Sequence, residues 1–254
     1  MPYSLKDRSV LVVAGSRGLG AEICRKFAAE GAKVAVGYVS NKARAEDVAK
    51  ECQEKYGVKT AVFQGDGGSF ADCERLVEET KKEFGGLDVV INNAGWTKYT
   101  QFGDLYALTE EEWDRAFAVN VKGQMALCRA ALPTFNENPD GGVYIVTSSV
   151  AGKSIGGSAM AYAVTKAAQL QLIRCLAQTQ GPKARINAVL PGLLLTEWVE
   201  DFPDEWKKGA MARSVLNRST DLEDCANVYV MLAKNSSMTG NLISVDAGVN
   251  IIGR

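Results

Sequence analysis

The sequence predicts an α/β fold of the doubly wound kind, one parallel sheet with helices on both faces. Three observations predict it. Short apolar runs alternate with longer amphipathic helical patterns along all 254 residues. The runs are nearly continuous, as in parallel strands covered on both sides. The first of them leads directly into a glycine-rich turn, 15–20, and then into a helix. No repeat, low-complexity tract or linker interrupts the alternation, so 1–254 is expected to be a single domain.

The first strand is expected over 8–14, where Arg8 is followed by an almost unbroken apolar run. Gly15-Ser16-Arg17-Gly18-Leu19-Gly20 follows, then a helical pattern over 21–30. A turn without Cβ atoms lets a pyrophosphate reach the backbone N–H groups at a helix N-terminus. The second strand covers 33–39. In NAD-preferring Rossmann folds an acidic residue near that strand's end takes the ribose 2′-hydroxyl. Tyr38 stands there instead, with Ser40 and Asn41 after it, and Arg17 offers a cation from the glycine turn. That combination favours NADP(H), with NAD(H) as the alternative.

A charged amphipathic helix is predicted over 41–55 and a third strand over 59–64. Asp66 and Gly67 then sit in a loop, where Asp66 suits either an adenine amine or a plain turn. Ser69-x-x-Asp72 reads as the cap of a helix over 73–84. The fourth strand, 87–91, ends in Asn92-Asn93-Ala94-Gly95, small and amide residues that let a flat cofactor pass close to the backbone. Thr109-x-x-Glu112 caps a long helix over 113–136, with Asn120 inside it. Asn120 suits either a core amide or a group holding a water behind an active site.

The fifth strand, 141–147, ends at Ser148-Ser149, and a helix over 158–180 follows. The sixth, 184–190, is closed by Pro191-Gly192. Leu194 and Thr196 open an irregular stretch, 193–219, with Trp198, Phe202, Trp206 and Met211. It reads equally as a lid over a pocket or as surface helices on the core. Thr220-x-x-Glu223 is expected to cap a last helix ending at 233, before a final strand over 241–245.

Tyr162 and Lys166 are four apart and share one helix face. An ammonium beside a phenol favours the phenolate, pulling it below its ordinary pKa of ~10. Such a tyrosine passes a proton to or from an alcohol near neutral pH. Ser149 lies at a strand's C-terminal end, where open α/β sheets bind ligands. A second Tyr-x-x-x-Lys pair, Tyr38 and Lys42, is read as a loop coincidence.

Composition excludes other chemistries. With no histidine, a Ser-His-Asp triad and any histidine-bearing zinc site are ruled out. No metal site is expected. The net charge of −1 comes from scattered charges, unlike a nucleic-acid footprint or a polybasic membrane patch. The polar N-terminus is unlike a signal peptide, and no apolar run approaches the ~20 residues of a membrane span. Six widely spaced cysteines fit a reducing, cytoplasmic setting.

The motifs together resemble the short-chain dehydrogenase/reductase family over nearly the whole chain. The likeness rests on Gly15, Gly18, Gly20, Asp66, Asn92 to Gly95, Asn120, Ser149, Tyr162, Lys166, Pro191, Gly192 and Thr196. It implies a seven-stranded parallel sheet and a homo-oligomer, tetramer or dimer. Tyr162 would be the general acid/base. Lys166 would lower its pKa and bond the nicotinamide ribose. Ser149 would hold the substrate oxygen, and Asn120 a relay water. Ser16, Arg17, Leu19, Tyr38, Ser40, Asn41, Asn93 and Ala94 would lie along the cofactor, with Leu194 and Thr196 at its carboxamide. The chain departs from the family pattern at Ala14, Gly67 and Ala247.

The expected activity is NADP(H)-dependent reduction of a small-molecule ketone or aldehyde, reversible, with a lean toward bulky apolar substrates. An NAD(H)-dependent alcohol dehydrogenase and a 3-oxoacyl-(acyl-carrier-protein) reductase-like enzyme are the enzymatic alternatives. A silent nucleotide-binding regulator is the non-enzymatic one.

Overall fold

A computed structural model describes residues 3–251, so the ends of the expected 1–254 domain lie outside the described residues. The strands are β1 (Ser9–Val13), β2 (Lys33–Tyr38), β3 (Thr60–Gln64), β4 (Val89–Asn92), β5 (Gly142–Thr147), β6 (Ala184–Pro191) and β7 (Leu242–Val245). All pair in parallel, in the order β3-β2-β1-β4-β5-β6-β7. The strand order reverses between β1 and β4. At such a switch point the loops part at the carboxyl ends of the strands and leave a crevice.

Strand β1 shows why the apolar runs are continuous. Val10 and Val12 enter one core, beside Ile23 and Phe27 of α1 (Gly18–Ala29) and Tyr229 of α8 (Leu222–Lys234). Leu11 and Val13 enter the other, with Leu76 of α3 (Phe70–Phe84) and Leu127 of α5 (Gly123–Glu137). Successive side chains leave opposite faces of a strand, and here both faces are covered. The remaining helices are α2 (Lys42–Tyr56), α4 (Glu110–Phe117), α6 (Met160–Thr179) and α7 (Asp204–Ala212).

Two helix starts match the sequence expectation. Ser69 accepts from Asp72 N–H, and Thr109 with Glu112 forms a reciprocal capping box. Two expectations are corrected. The long helix expected over 113–136 is broken into α4 and α5 by a π-helical segment, Ala118–Lys122. Side chains replace the regular ladder there: Gln124 Nε2 donates to the Val119 carbonyl and Gln169 Nε2 to that of Asn120. The last helix is capped by Asp221, whose carboxylate accepts from Asp224 N–H, while the Thr220 hydroxyl donates to the Val245 carbonyl.

Candidate active site

The crevice opens into a cavity of about 1020 Å³, at the upper end of ordinary small-molecule sites. One wall is the turn Ser16 to Leu19, at the N-terminus of α1. Arg17 is the N-cap in extended conformation, and no side chain caps this end. The first-turn N–H groups are therefore left for a ligand, at the positive end of the helix dipole. Gly18 has φ +49°, and a Cβ on it would stand 3.3 Å from Thr196 across the groove. Gly20 admits no side chain, since a Cβ would lie 2.1 Å from the Ala14 carbonyl oxygen. The left-handed residue at the head of this turn is Ala14, with φ 55°. Gly15 instead packs against Val36 and Cys24 and donates its N–H to Gly37.

The candidate catalytic corner lies where β5 meets α6. Ser149 follows β5 in extended backbone, caps the short turn Val150–Gly152, and accepts from Ala151 N–H at 3.1 Å. Tyr162 is in the first turn of α6, and Lys166 is one turn on, its Nζ 5.5 Å from the phenol ring centre. Lys166 Nζ donates to the Thr147 carbonyl at 2.9 Å and to Gln169 Oε1 at 3.4 Å. Thr147 Oγ1 donates to Asn93 Oδ1, and Asn93 Nδ2 donates to the Ala14 carbonyl. This chain of bonds ties the catalytic corner to the glycine turn across the switch point.

The electrostatics correct the sequence argument. Burial pushes the Tyr162 phenol up to about 12, with the Ser149 hydroxyl pulling the other way. Burial also pushes the Lys166 ammonium down from 10.5 to about 7. The expected attraction between a phenolate and an ammonium is outweighed by the cost of charging either one away from water, which is the larger effect here.

Of the residues expected at the site, Ser16, Arg17, Gly18, Leu19, Ser40, Asn41, Asn93, Gly95, Ser149, Tyr162, Lys166, Pro191, Gly192, Leu194 and Thr196 line the one cavity. Others do not. Tyr38 is 8% exposed and joins Val34 and Val36 in the core, because alternation along β2 aims all three the same way. Asp66 accepts two hydrogen bonds from Arg115 and one from Gly68 N–H, so its carboxylate is spent off the cavity wall. Partial burial raises its pKa, but the Arg115 and Gly68 bonds outweigh it and hold the group below the ordinary carboxylate range. A Cβ on Gly67 would meet Ala94 at 2.6 Å, and Ala94 itself lies in the core.

Asn120 matches the first of its two expected readings, a core amide. It is fully buried in the π-helical segment. Its Oδ1 accepts from Trp96 N–H, and its Nδ2 donates to the Trp96 carbonyl and to Thr165 Oγ1. Both amide protons are used within the protein. Asn120 thus fixes the loop after Gly95 beside Lys166.

The stretch 193–219 combines the two structures foreseen for it. Helix α7 is a surface helix, and Tyr99, Phe202 and Trp206 form an aromatic cluster with ring centres 5.2–6.2 Å apart. Phe202 and Trp206 face the cavity, as does Trp198, whose ring centre lies 6.5 Å from that of Tyr162. Sequence reading missed Arg44, Phe102 and Arg213 on the cavity wall. Arg44 was findable: it stands three residues past the α2 N-cap Asn41, in the first turn of the helix that follows β2.

A family profile described as enoyl-(acyl carrier protein) reductase matches residues 13–250. The chain belongs to the short-chain dehydrogenase/reductase family. A 3-oxoacyl-(acyl-carrier-protein) reductase FabG of Staphylococcus aureus is 32% identical over 246 residues, covering 95% of this chain and 98% of its own. An NADP-dependent mannitol dehydrogenase of Alternaria alternata is 32% identical over 252 residues, covering 97% and 93%. Among solved structures, an NADPH-dependent 3-quinuclidinone reductase of Rhodotorula rubra superposes with a TM-score of 0.89 at 26% identity, covering 97% of this chain and 92% of its own. The protein is thus an oxidoreductase of this family, a class that uses a nicotinamide cofactor. Among the described residues no three His, Cys, Asp or Glu side chains cluster as metal ligands. No helix among them is long and apolar enough to cross a membrane.

Proposed function

We propose that this short-chain dehydrogenase/reductase is an NADP(H)-dependent carbonyl reductase, reversible as an alcohol dehydrogenase, acting on a bulky, largely apolar small molecule. One observation carries the reading. The Ser149 hydroxyl, the Tyr162 phenol and the Lys166 amine meet in one cavity with the uncapped N-terminus of α1. Bound NADPH would supply a hydride. Ser16 to Leu19 would hold its diphosphate, Arg17, Ser40 and Asn41 the 2′-phosphate end, and Leu194 and Thr196 the carboxamide.

The protein's own part is orientation and a proton. Ser149 and Tyr162 offer two donors to one substrate oxygen, which suits a carbonyl better than an isolated carbon–carbon double bond. A phenol held at about 12 is protonated at neutral pH and is ready to donate in the reductive direction. Phe202 and Trp206 exclude water and favour an apolar substrate body. Homo-oligomerisation and a cytoplasmic location belong to the same proposal and rest on the family resemblance.

Tyr162→Phe tests it. The variant is expected to fold and bind NADPH while ketone turnover falls by about 10² or more, the range for a lost general acid. Near-normal turnover would remove Tyr162 from the chemistry. An enoyl thioester run beside a ketone panel separates carbonyl from double-bond reduction, and NADPH against NADH settles the cofactor.

A further inference from the structure

The cavity wall carries several cations but, among the described residues, one acidic side chain, Glu197. That carboxylate is engaged: Arg44 Nη1 lies 3.4 Å from Glu197 Oε1. The two residues come from opposite banks. Arg44 is on α2, beside Ser40 and Asn41, where the ribose 2′-phosphate is expected. Glu197 begins the single 3₁₀ turn Glu197–Val199 of the stretch over the cavity. The next residue of that turn, Trp198, reaches the far end. A Cβ on Gly95 would stand 3.3 Å from Trp198 Cη2 and 4.0 Å from Lys166 Nζ. One short turn, capped by Thr196, therefore places adjacent side chains at both ends of the groove.

Building on the NADP(H) reading, in which the basic groups around the end of β2 face the 2′-phosphate, we infer that Arg44, in leaving Glu197 for that phosphate, unlatches the turn that holds Trp198 over the catalytic corner. The exchange follows from relative strength. Arg44 and Glu197 are 49% and 38% exposed, and such ion pairs are weak. A phosphate dianion offers a guanidinium shorter, two-pronged, charge-assisted bonds. Once Arg44 turns to the phosphate, Glu197 is left near an anion and is repelled. The 3₁₀ turn carries Trp198 with it, and the corner between Gly95, Tyr162 and Lys166 opens. A cofactor lacking the 2′-phosphate has no group to draw Arg44 away.

The test uses fragments that cannot reach Trp198. The full chain is titrated with 2′,5′-ADP and, separately, with 5′-AMP, while tryptophan emission is followed; Trp198→Phe assigns the signal. The inference expects 2′,5′-ADP to shift Trp198 emission and 5′-AMP at saturation to leave it unchanged. Arg44→Gln is expected to weaken 2′,5′-ADP by about 10- to 100-fold, the span for hydrogen bonds to charged groups, with 5′-AMP affinity unaltered. Glu197→Gln is expected to bind 2′,5′-ADP more tightly and to lose the emission shift. Tight binding of 2′,5′-ADP without any shift in wild-type emission, or with full affinity in Arg44→Gln, overturns the inference and leaves the NADP(H) reading standing. Equal affinity of wild type for the two fragments overturns both.

Discussion

At the scale of single residues, Lys166 governs how the site responds to protons. It is 2% exposed, and its hydrogen-bond acceptors are a carbonyl and an amide, with no carboxylate. Its pKa of about 7, against 10.5 for a free lysine, means that the folded chain binds fewer protons than the unfolded chain between those values. This group alone makes stability rise with pH across that window. A cofactor bound as proposed would bring hydroxyls and negative charge and reverse the balance, favouring the ammonium. Burial favours neutral Lys166 in the empty site at pH 8, so cofactor binding is expected to take up protons. Calorimetric heats of NADPH binding at pH 8, measured in buffers of different ionisation enthalpy, read this directly. Wild type should show uptake and Lys166→Met should not. No uptake by wild type would mean that the ammonium is already charged in the empty site.

At the scale of elements, local chemistry and long-range placement separate. Helix caps are local, and two of the three expected from sequence are present at Ser69 and Thr109. The third is displaced by one residue, because Thr220 is drawn to the Val245 carbonyl at the end of β7 and Asp221 takes the cap. Nothing within Thr220 to Glu223 reveals a partner 25 residues away. Asp221→Ala is expected to cost about 1 kcal/mol, typical of a lost cap, read as a lowered denaturation midpoint. Glu223→Ala, at the residue once expected to complete the cap, should cost far less. An equal loss in both would return the cap to Thr220. The same division explains Asn120 and Asp66. Their identities are legible in the sequence, but their partners Trp96, Thr165 and Arg115 arrive from other elements, and the partners decide what the side chains do. Tyr38 is different: alternation along β2 already placed it with Val34 and Val36, facing the core.

At the scale of the molecule, the fold was the most legible level, because seven apolar runs, a glycine turn and the helical spacing between them all call for the same sheet. The sheet order then determines what the cavity does. Its two walls come from either side of the switch point: the turns after β1 and β2 on one bank, those after β5 and β6 on the other. Few bonds cross between the banks; Asn93 to the Ala14 carbonyl and Arg44 to Glu197 are two. A ligand spanning the crevice adds contacts between the two halves, which already share the core between α1 and α8, and it binds only when both are folded. Mass action then stabilises the whole domain by roughly 2.7 kcal/mol at a hundred times Kd. At about 2–4 °C per kcal/mol for a chain near this size, the melting temperature should rise by roughly 5–10 °C with NADPH. NADH at the same concentration should give a clearly smaller rise, because it has nothing to offer Arg17 and Arg44. Thermal unfolding with each cofactor measures the difference, and equal shifts would show that the basic end of the groove does not read the 2′-phosphate.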